Sequence, residues 1–200
     1  PAIRVLDFDF NFCGYIDNYD SLQFERRLWE VGSFELSAPL SSSASLLSDR
    51  IIALDERRAG IIQSVNDEES AKGVIRKAAG VQLKGLTKRR ITVPGVKSDT
   101  AYYGYDRFPD AQSPDAPAES VIKHYIDNHM VNPENAARSF PGLEIAPDLL
   151  RGISMRWSSR FEKLDAVLSA IGEWSGMGYD ITLDYDRAKL VFEVIPPRDR

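Results

Sequence analysis

Asp7 and Asp9 stand two residues apart in the run Leu6-Asp7-Phe8-Asp9-Phe10-Asn11-Phe12. On an extended strand that spacing puts both carboxylates on one face, about 6–7 Å apart along the chain. Paired carboxylates could do acid–base work or hold calcium, but the reading preferred for them is a solvated strand face. Asp184 and Asp186 flank Tyr185 and read as turn residues, because aspartate bonds to nearby backbone in turns. A calcium loop would need several more oxygen ligands.

His124 and His129 are the only histidines. Five residues apart on an α-helix, they point about 140° away from each other. A helical zinc pair needs a spacing of four. No serine sits in a Gly-x-Ser-x-Gly elbow. Lys84, Lys88, Arg89 and Arg90 form the one basic cluster, which reads as a solvated edge or as a contact for a partner's acidic surface, with nucleic acid last. Tyr102, Tyr103, Tyr105 and Phe108 could stack on a sugar, cover a domain junction or form a subunit contact. Cys13 is the single cysteine, so no intrachain disulfide forms, and it reads as a small buried hydrophobe. These groups assemble into no catalytic constellation. The reading assigns no catalytic residue, no cofactor and no metal.

The elements that would carry these residues are strands first. Leu6, Phe8, Phe10 and Phe12 alternate with Asp7, Asp9 and Asn11, which predicts a strand with one apolar and one acidic face. Leu22–Trp29 and Ser33–Leu36 follow as strand-like runs. A meander comes next, with strands at Arg50–Leu54, Ala59–Val65 and Gly73–Ala79 and polar turns at Asp55–Arg58 and Asn66–Ser70. This pattern suggests a small antiparallel barrel or sandwich over residues 1–92. Residues 94–117 are rich in proline and glycine and read as a linker or excursion.

Helices belong to the second half. Val121, Ile122, Tyr125, Ile126 and Met130 form one stripe, with Pro117 near the first turn and Asn132-Pro133 ending the helix. A second helix is predicted from about Arg160 to Trp174. Ser159 and Glu162 would make its capping box, Phe161, Leu164, Val167, Leu168, Ile171 and Trp174 its buried stripe, and Gly176 its stop. A hairpin closes the chain, with Tyr179, Ile181 and Leu183 on one strand and Leu190, Phe192 and Val194 on the other. The fold class is α+β and β-rich: a barrel-like domain at 1–92, then an α+β domain at 93–200 with two amphipathic helices and a C-terminal hairpin.

Composition narrows the function. The apolar fraction is 43% and the formal charge is −5. Residues 1–100 carry 14 basic and 14 acidic groups, and residues 101–200 carry 11 and 16. Such a balance suits protein contacts better than duplex nucleic acid, which calls for a basic stripe. No apolar run approaches the length of a membrane span. The missing initiator Met and the end at Arg200 suggest a processed or truncated chain.

The order of short motifs adds a resemblance. Asp7-x-Asp9-x-Asn11-x-x-Gly14-x-Ile16-Asp17, Ser21-Leu22, Arg27-x-Trp29-x-x-Gly32-x-Phe34-Glu35-Leu36 and Gly60-Ile61-Ile62 occur in series. Arg90-Ile91, Asn132-Pro133-Glu134-Asn135-Ala136-Ala137-Arg138, Gly178-Tyr179, Leu190-Val191-Phe192-Glu193-Val194 and Arg198-Asp199-Arg200 continue it. Together they resemble a family of siphovirus and prophage tail proteins that is similar to the baseplate hub proteins of contractile tails. The resemblance implies small β-barrel domains with an inserted α+β domain, and a homotrimeric ring when full length. It implies distal tail protein, tape measure and tail fibre or tip proteins as partners, with no nucleic-acid specificity. Its place would be the virion tail tip, with host cytoplasm during assembly. It carries over no catalytic residue and implies a structural, non-enzymatic part. Two other readings remain: a carbohydrate-binding module using Tyr102–Phe108, and a cell-wall hydrolase using acidic residues.

Overall fold

The protein is described from a computed structural model covering residues 2–70, 73–94 and 105–197. Tyr102, Tyr103 and Arg198-Asp199-Arg200 lie outside the described residues. The chain forms two compact units, neither of them a continuous stretch. One comprises Pro1–Arg27, Val31–Gly85 and Ile181–Leu190, and the other Leu28–Glu30, Leu86–Asp180 and Val191–Arg200.

The first unit is built on one antiparallel sheet. Its strands are β1 (Ile3–Leu6), β2 (Phe12–Ile16), β3 (Ser21–Phe24), β4 (Ser33–Pro39), β5 (Ile51–Ala53), β6 (Ala59–Ser70) and β7 (Gly73–Gln82). They run in the order β2-β1-β5-β6-β7-β4-β3, which leaves β2 and β3 as the edges of an open series. Ile3, Val5, Ile16, Phe34, Leu36, Ala38, Leu46, Ile52, Ile62 and Ala78 pack as its core. The Phe34 ring lies over two glycines. A Cβ on Gly60 would stand 2.7 Å from Phe34 Cδ1, and one on Gly80 would come within 2.6 Å of Phe34 Cε1 and would collide with the Ile61 carbonyl.

Two expectations about this unit are corrected. Leu6–Phe12 is not one alternating strand. β1 ends at Leu6, and Asp7–Asn11 is the turn of the β1–β2 hairpin. The Asp9 and Asn11 backbone N–H groups donate to Asp7 Oδ1 at 2.9 and 2.8 Å, and Asn11 Nδ2 donates to Oδ2 at 3.0 Å. Phe10 takes a φ of 64°. Local side-chain bonding to backbone therefore prevails over the period-two pattern.

Nor is Asn66–Ser70 a turn. β6 runs on through it, and Asn66, Asp67, Glu68 and Glu69 pair with Lys77, Arg76, Ile75 and Val74 of β7. Arg76 forks onto Asp67 with two bonds of 2.7 Å, and Lys77 meets Glu68 at 2.8 Å. Opposite charges on neighbouring strands support this polar, solvent-exposed stretch of β6, while β7 also pairs with β4 at Ser37–Pro39.

The second unit contains β8 (Asp106–Phe108), β9 (Ala116–Pro117), α1 (Ala118–Ile126), β10 (Leu143–Ile145), β11 (Ser154–Met155), β12 (Trp157–Ser159) and α2 (Leu164–Ser175). β13 (Gly178–Asp184) and β14 (Lys189–Ile195) form the closing hairpin. β8 pairs with β12, β9 with β11, and β10 joins the hairpin. Val121, Ile122, Tyr125, Ile126 and Met130 are all fully buried, as their spacing requires.

The second helix starts later than its sequence suggests. Lys163 occupies the N-cap position without a side-chain capping bond, and Ser159 instead sits in β12 with its hydroxyl 2.6 Å from that of Thr92. The backbone of Glu162 accepts from Thr92 N–H at 2.8 Å and donates to Thr92 Oγ1 at 3.1 Å. A long-range pairing thus takes the groups a capping box would have used. Phe161, at a φ of 53°, and Trp174 stand largely exposed, while Leu164, Val167, Leu168 and Ile171 are buried. Gly176 ends the helix at a φ of 74°, as expected.

Candidate functional site

The two histidines meet on one carboxylate. α1 passes at Asp127 into a wide π-helical turn, Asp127–Val131, closed by the Asn132 N–H on the Asp127 carbonyl at 2.8 Å. Such a turn winds more slowly than a regular α-helix, and both imidazoles reach the same side chain. His124 Nε2 donates to Asp106 Oδ1 at 3.0 Å, and His129 Nε2 donates to Oδ2 at 2.7 Å. Tyr125 OH donates to the Asp106 carbonyl at 3.0 Å. The expectation that these histidines point apart is therefore overturned.

Asp106 and His129 are buried. Phe108 stacks on His124 with ring centroids 4.2 Å apart and planes 17° apart. Burial alone would push the Asp106 carboxyl up, but the bonds from His124 and His129 prevail and hold it at about 2. His129 Nδ1 has no partner among the described residues. The cluster ties β8 to α1 and to the turn that follows it. Because His124 covers one face of Phe108, that face is not free to stack on a sugar. Tyr105 is 60% exposed.

A second buried polar knot holds α1. Glu119, fully buried, accepts from Lys123 Nζ at 2.6 Å and from Arg151 Nε at 2.8 Å. Lys123 also donates to the Pro147 carbonyl at 2.6 Å, and Arg151 Nη2 to the Val194 carbonyl at 2.8 Å. Burial opposes ionisation of Glu119, yet Arg151 and Lys123 hold it at about 2.

Other sequence candidates serve structure. Asp7 is occupied by its turn. Asp184 accepts from Arg187 N–H at 3.0 Å and from Arg187 Nε at 2.8 Å, which is turn chemistry. Cys13 is half-buried beside the first unit's core, its Sγ donating to the Asn11 carbonyl at 3.6 Å. Among the described residues no group of three or more His, Cys, Asp or Glu side chains could hold a metal, and no helix is long and apolar enough to cross a membrane.

The basic cluster divides. Lys84 is fully buried and donates to the Arg27 carbonyl, so it is not part of a solvated edge. Lys88, Arg89 and Arg90 line a groove of about 530 Å³ with Arg138 and Lys163. Sequence reading missed Arg138 and Lys163, which lie 48 and 73 residues beyond Arg90. It also missed Asp106, whose role needs both the π turn and the β8 pairing. The Glu119–Lys123 pair was readable as an i, i+4 contact once the helix was placed.

The exposed surface of the first unit includes aromatic side chains. Phe12 and Tyr15 on edge strand β2 are 56% and 55% exposed, with ring centroids 4.6 Å apart.

The family model described as Siphovirus ReqiPepy6 Gp37-like protein matches residues 2–200. In fold, the chain is similar to prophage tail protein gp18 from Listeria monocytogenes, with a TM-score of 0.53 and 11% identity over 98% of this chain and 51% of that one. It is also similar to the E. coli c3393 protein, with a TM-score of 0.51 and 10% identity over 89% of this chain and 45% of that one. The c3393 protein is a component of the type VI secretion system with structural similarity to T4 bacteriophage tail proteins gp27 and gp5. This chain spans about half the length of these solved structures. A search of curated proteins gave no match.

Proposed function

Because the chain belongs to the Siphovirus ReqiPepy6 Gp37-like family, we propose that it is a structural component of the tail tip or baseplate hub of a phage or prophage. The family match across residues 2–200 carries this reading. In it, the chain joins the tail tube to the distal, host-contacting apparatus by protein–protein assembly. Its partners are the distal tail protein, the tape measure and tail fibre or tip proteins, and the full-length protein forms a trimeric ring.

The chemistry of the described residues supports an assembly part. Two buried acids, Asp106 and Glu119, are used in tying elements together. The open edge at β2, with Phe12 and Tyr15 exposed, suits contact with another chain. We read the seven-stranded sheet as the hub-like barrel layer of such a protein, and its role as non-enzymatic.

Co-expression with the distal tail protein of the same phage tests this. Co-elution of the two in gel filtration is the expected result. Separate elution, or clearing of peptidoglycan in a zymogram by this chain alone, would replace the assembly reading with another.

A further inference from the structure

The basic groove of the second unit has a composition that selects a ligand. Lys88 and Lys163 are exposed at its rim, and Arg90 and Arg138 are half-buried in it. Arg90 Nε donates to the Arg138 carbonyl at 3.0 Å, and Arg138 Nη2 donates to the Ile91 carbonyl at 2.7 Å. These bonds fix both guanidiniums by neutral acceptors. Among the described residues, no carboxylate pairs with Lys88, Arg90, Arg138 or Lys163. Burial first, and then the charges of Arg138 and Arg89, hold the Arg90 guanidinium below its ordinary value.

Apolar surface lies between the cations. Ile91 is 46% exposed and Phe161 47% exposed, both lining the same groove. Each guanidinium keeps N–H donors not used in the bonds above.

We propose that this groove docks an acidic peptide segment of another chain, carboxylates on Arg90, Arg138, Lys88 and Lys163 and an apolar side chain against Ile91 and Phe161. Charge complementarity selects an anionic occupant. The Ile91 and Phe161 contact favours a peptide with an apolar anchor over a phosphate backbone, as does the net charge of −5. The proposal deepens the assembly reading and rests on it for the source of the segment.

The test is fluorescence anisotropy on the 200-residue chain with three labelled probes. These are an Asp/Glu-rich peptide with a central Phe, the same peptide with Gly in its place, and a single-stranded oligothymidine. The Phe peptide is expected to bind, and at least tenfold more weakly when salt is raised from low to physiological strength. The Gly peptide is expected to bind several-fold more weakly. Lys88→Glu with Lys163→Glu, both at exposed positions, is expected to weaken binding at least tenfold with an unchanged melting curve.

No binding of the Phe peptide, binding unaffected by the double substitution, or tighter binding of oligothymidine would each overturn the proposal. Co-elution with the distal tail protein is scored separately. Intact co-elution without peptide binding removes the groove proposal alone, and peptide binding without co-elution removes the assembly reading.

Discussion

His129 Nε2 lies 2.7 Å from Oδ2 of Asp106, across 23 residues of sequence, and the other oxygen of the same carboxylate accepts from His124. One buried acid thus binds two rings of one helix to strand β8. Asp106→Ala would leave both imidazoles without their acceptor. Removing one partner of a buried pair costs roughly 3 kcal/mol or more. Urea unfolding is expected to show a loss of that size.

Asp106 and Glu119 also give the fold a pH dependence. Both are held at about 2, against ordinary values of 3.8 and 4.5. Between those limits the unfolded chain binds more protons than the folded one, so stability rises with pH there. The stabilisation is fully present above about pH 5 and is lost as pH falls through 2. Shifts of this size correspond to roughly 2 kcal/mol for Asp106 and roughly 3 kcal/mol for Glu119. Unfolding midpoints from about pH 6 down to pH 2 are expected to fall steeply at the acid end. Asp106→Asn and Glu119→Gln should each flatten that slope while lowering stability at neutral pH.

Gly80 tests the packing of the large sheet. Any side chain there meets the Ile61 carbonyl and the Phe34 ring, neither of which can move without breaking the β6–β7 ladder or the core. Gly80→Ala is expected to destabilise by roughly 2–3 kcal/mol. Gly73→Ala meets no atom within 4 Å, but its φ of 110° is itself strained for alanine, so only the smaller backbone cost should appear. Thermal melts of the two variants should separate in that order.

The entry to α2 separates the two accounts of Ser159 and Glu162. With the helix starting at Leu164, Ser159→Ala loses a buried hydroxyl contact with Thr92, a cost of about 1–2 kcal/mol. Glu162→Ala keeps both backbone bonds to Thr92 and should change stability by under about 0.5 kcal/mol. Equal, larger losses for both would restore the capping box.

What the sequence made legible follows from the range of the interactions. Tyr125 on α1, Met130 in the turn that follows it, Gly176 at the end of α2 and the alternation through Leu190, Phe192 and Val194 were readable because periodicity and glycine stops are local. Asp7 misled because a turn residue and a strand residue share one local pattern until its hydrogen bonds are placed. Asn66–Glu69 misled because a polar ribbon has no apolar face to reveal it. Asp106 and Arg138 were invisible because their partners come from distant segments, and the histidine pair depends on a π turn that no residue type announces.

The proposed role of this chain is that of an assembled part of the tail tip. Immunogold electron microscopy of phage particles, with an antibody raised against residues 1–200, tests that most directly. Gold clustered at the distal end of the tail is the predicted result. Gold on the capsid or along the tail shaft, or particles that carry none, would contradict it.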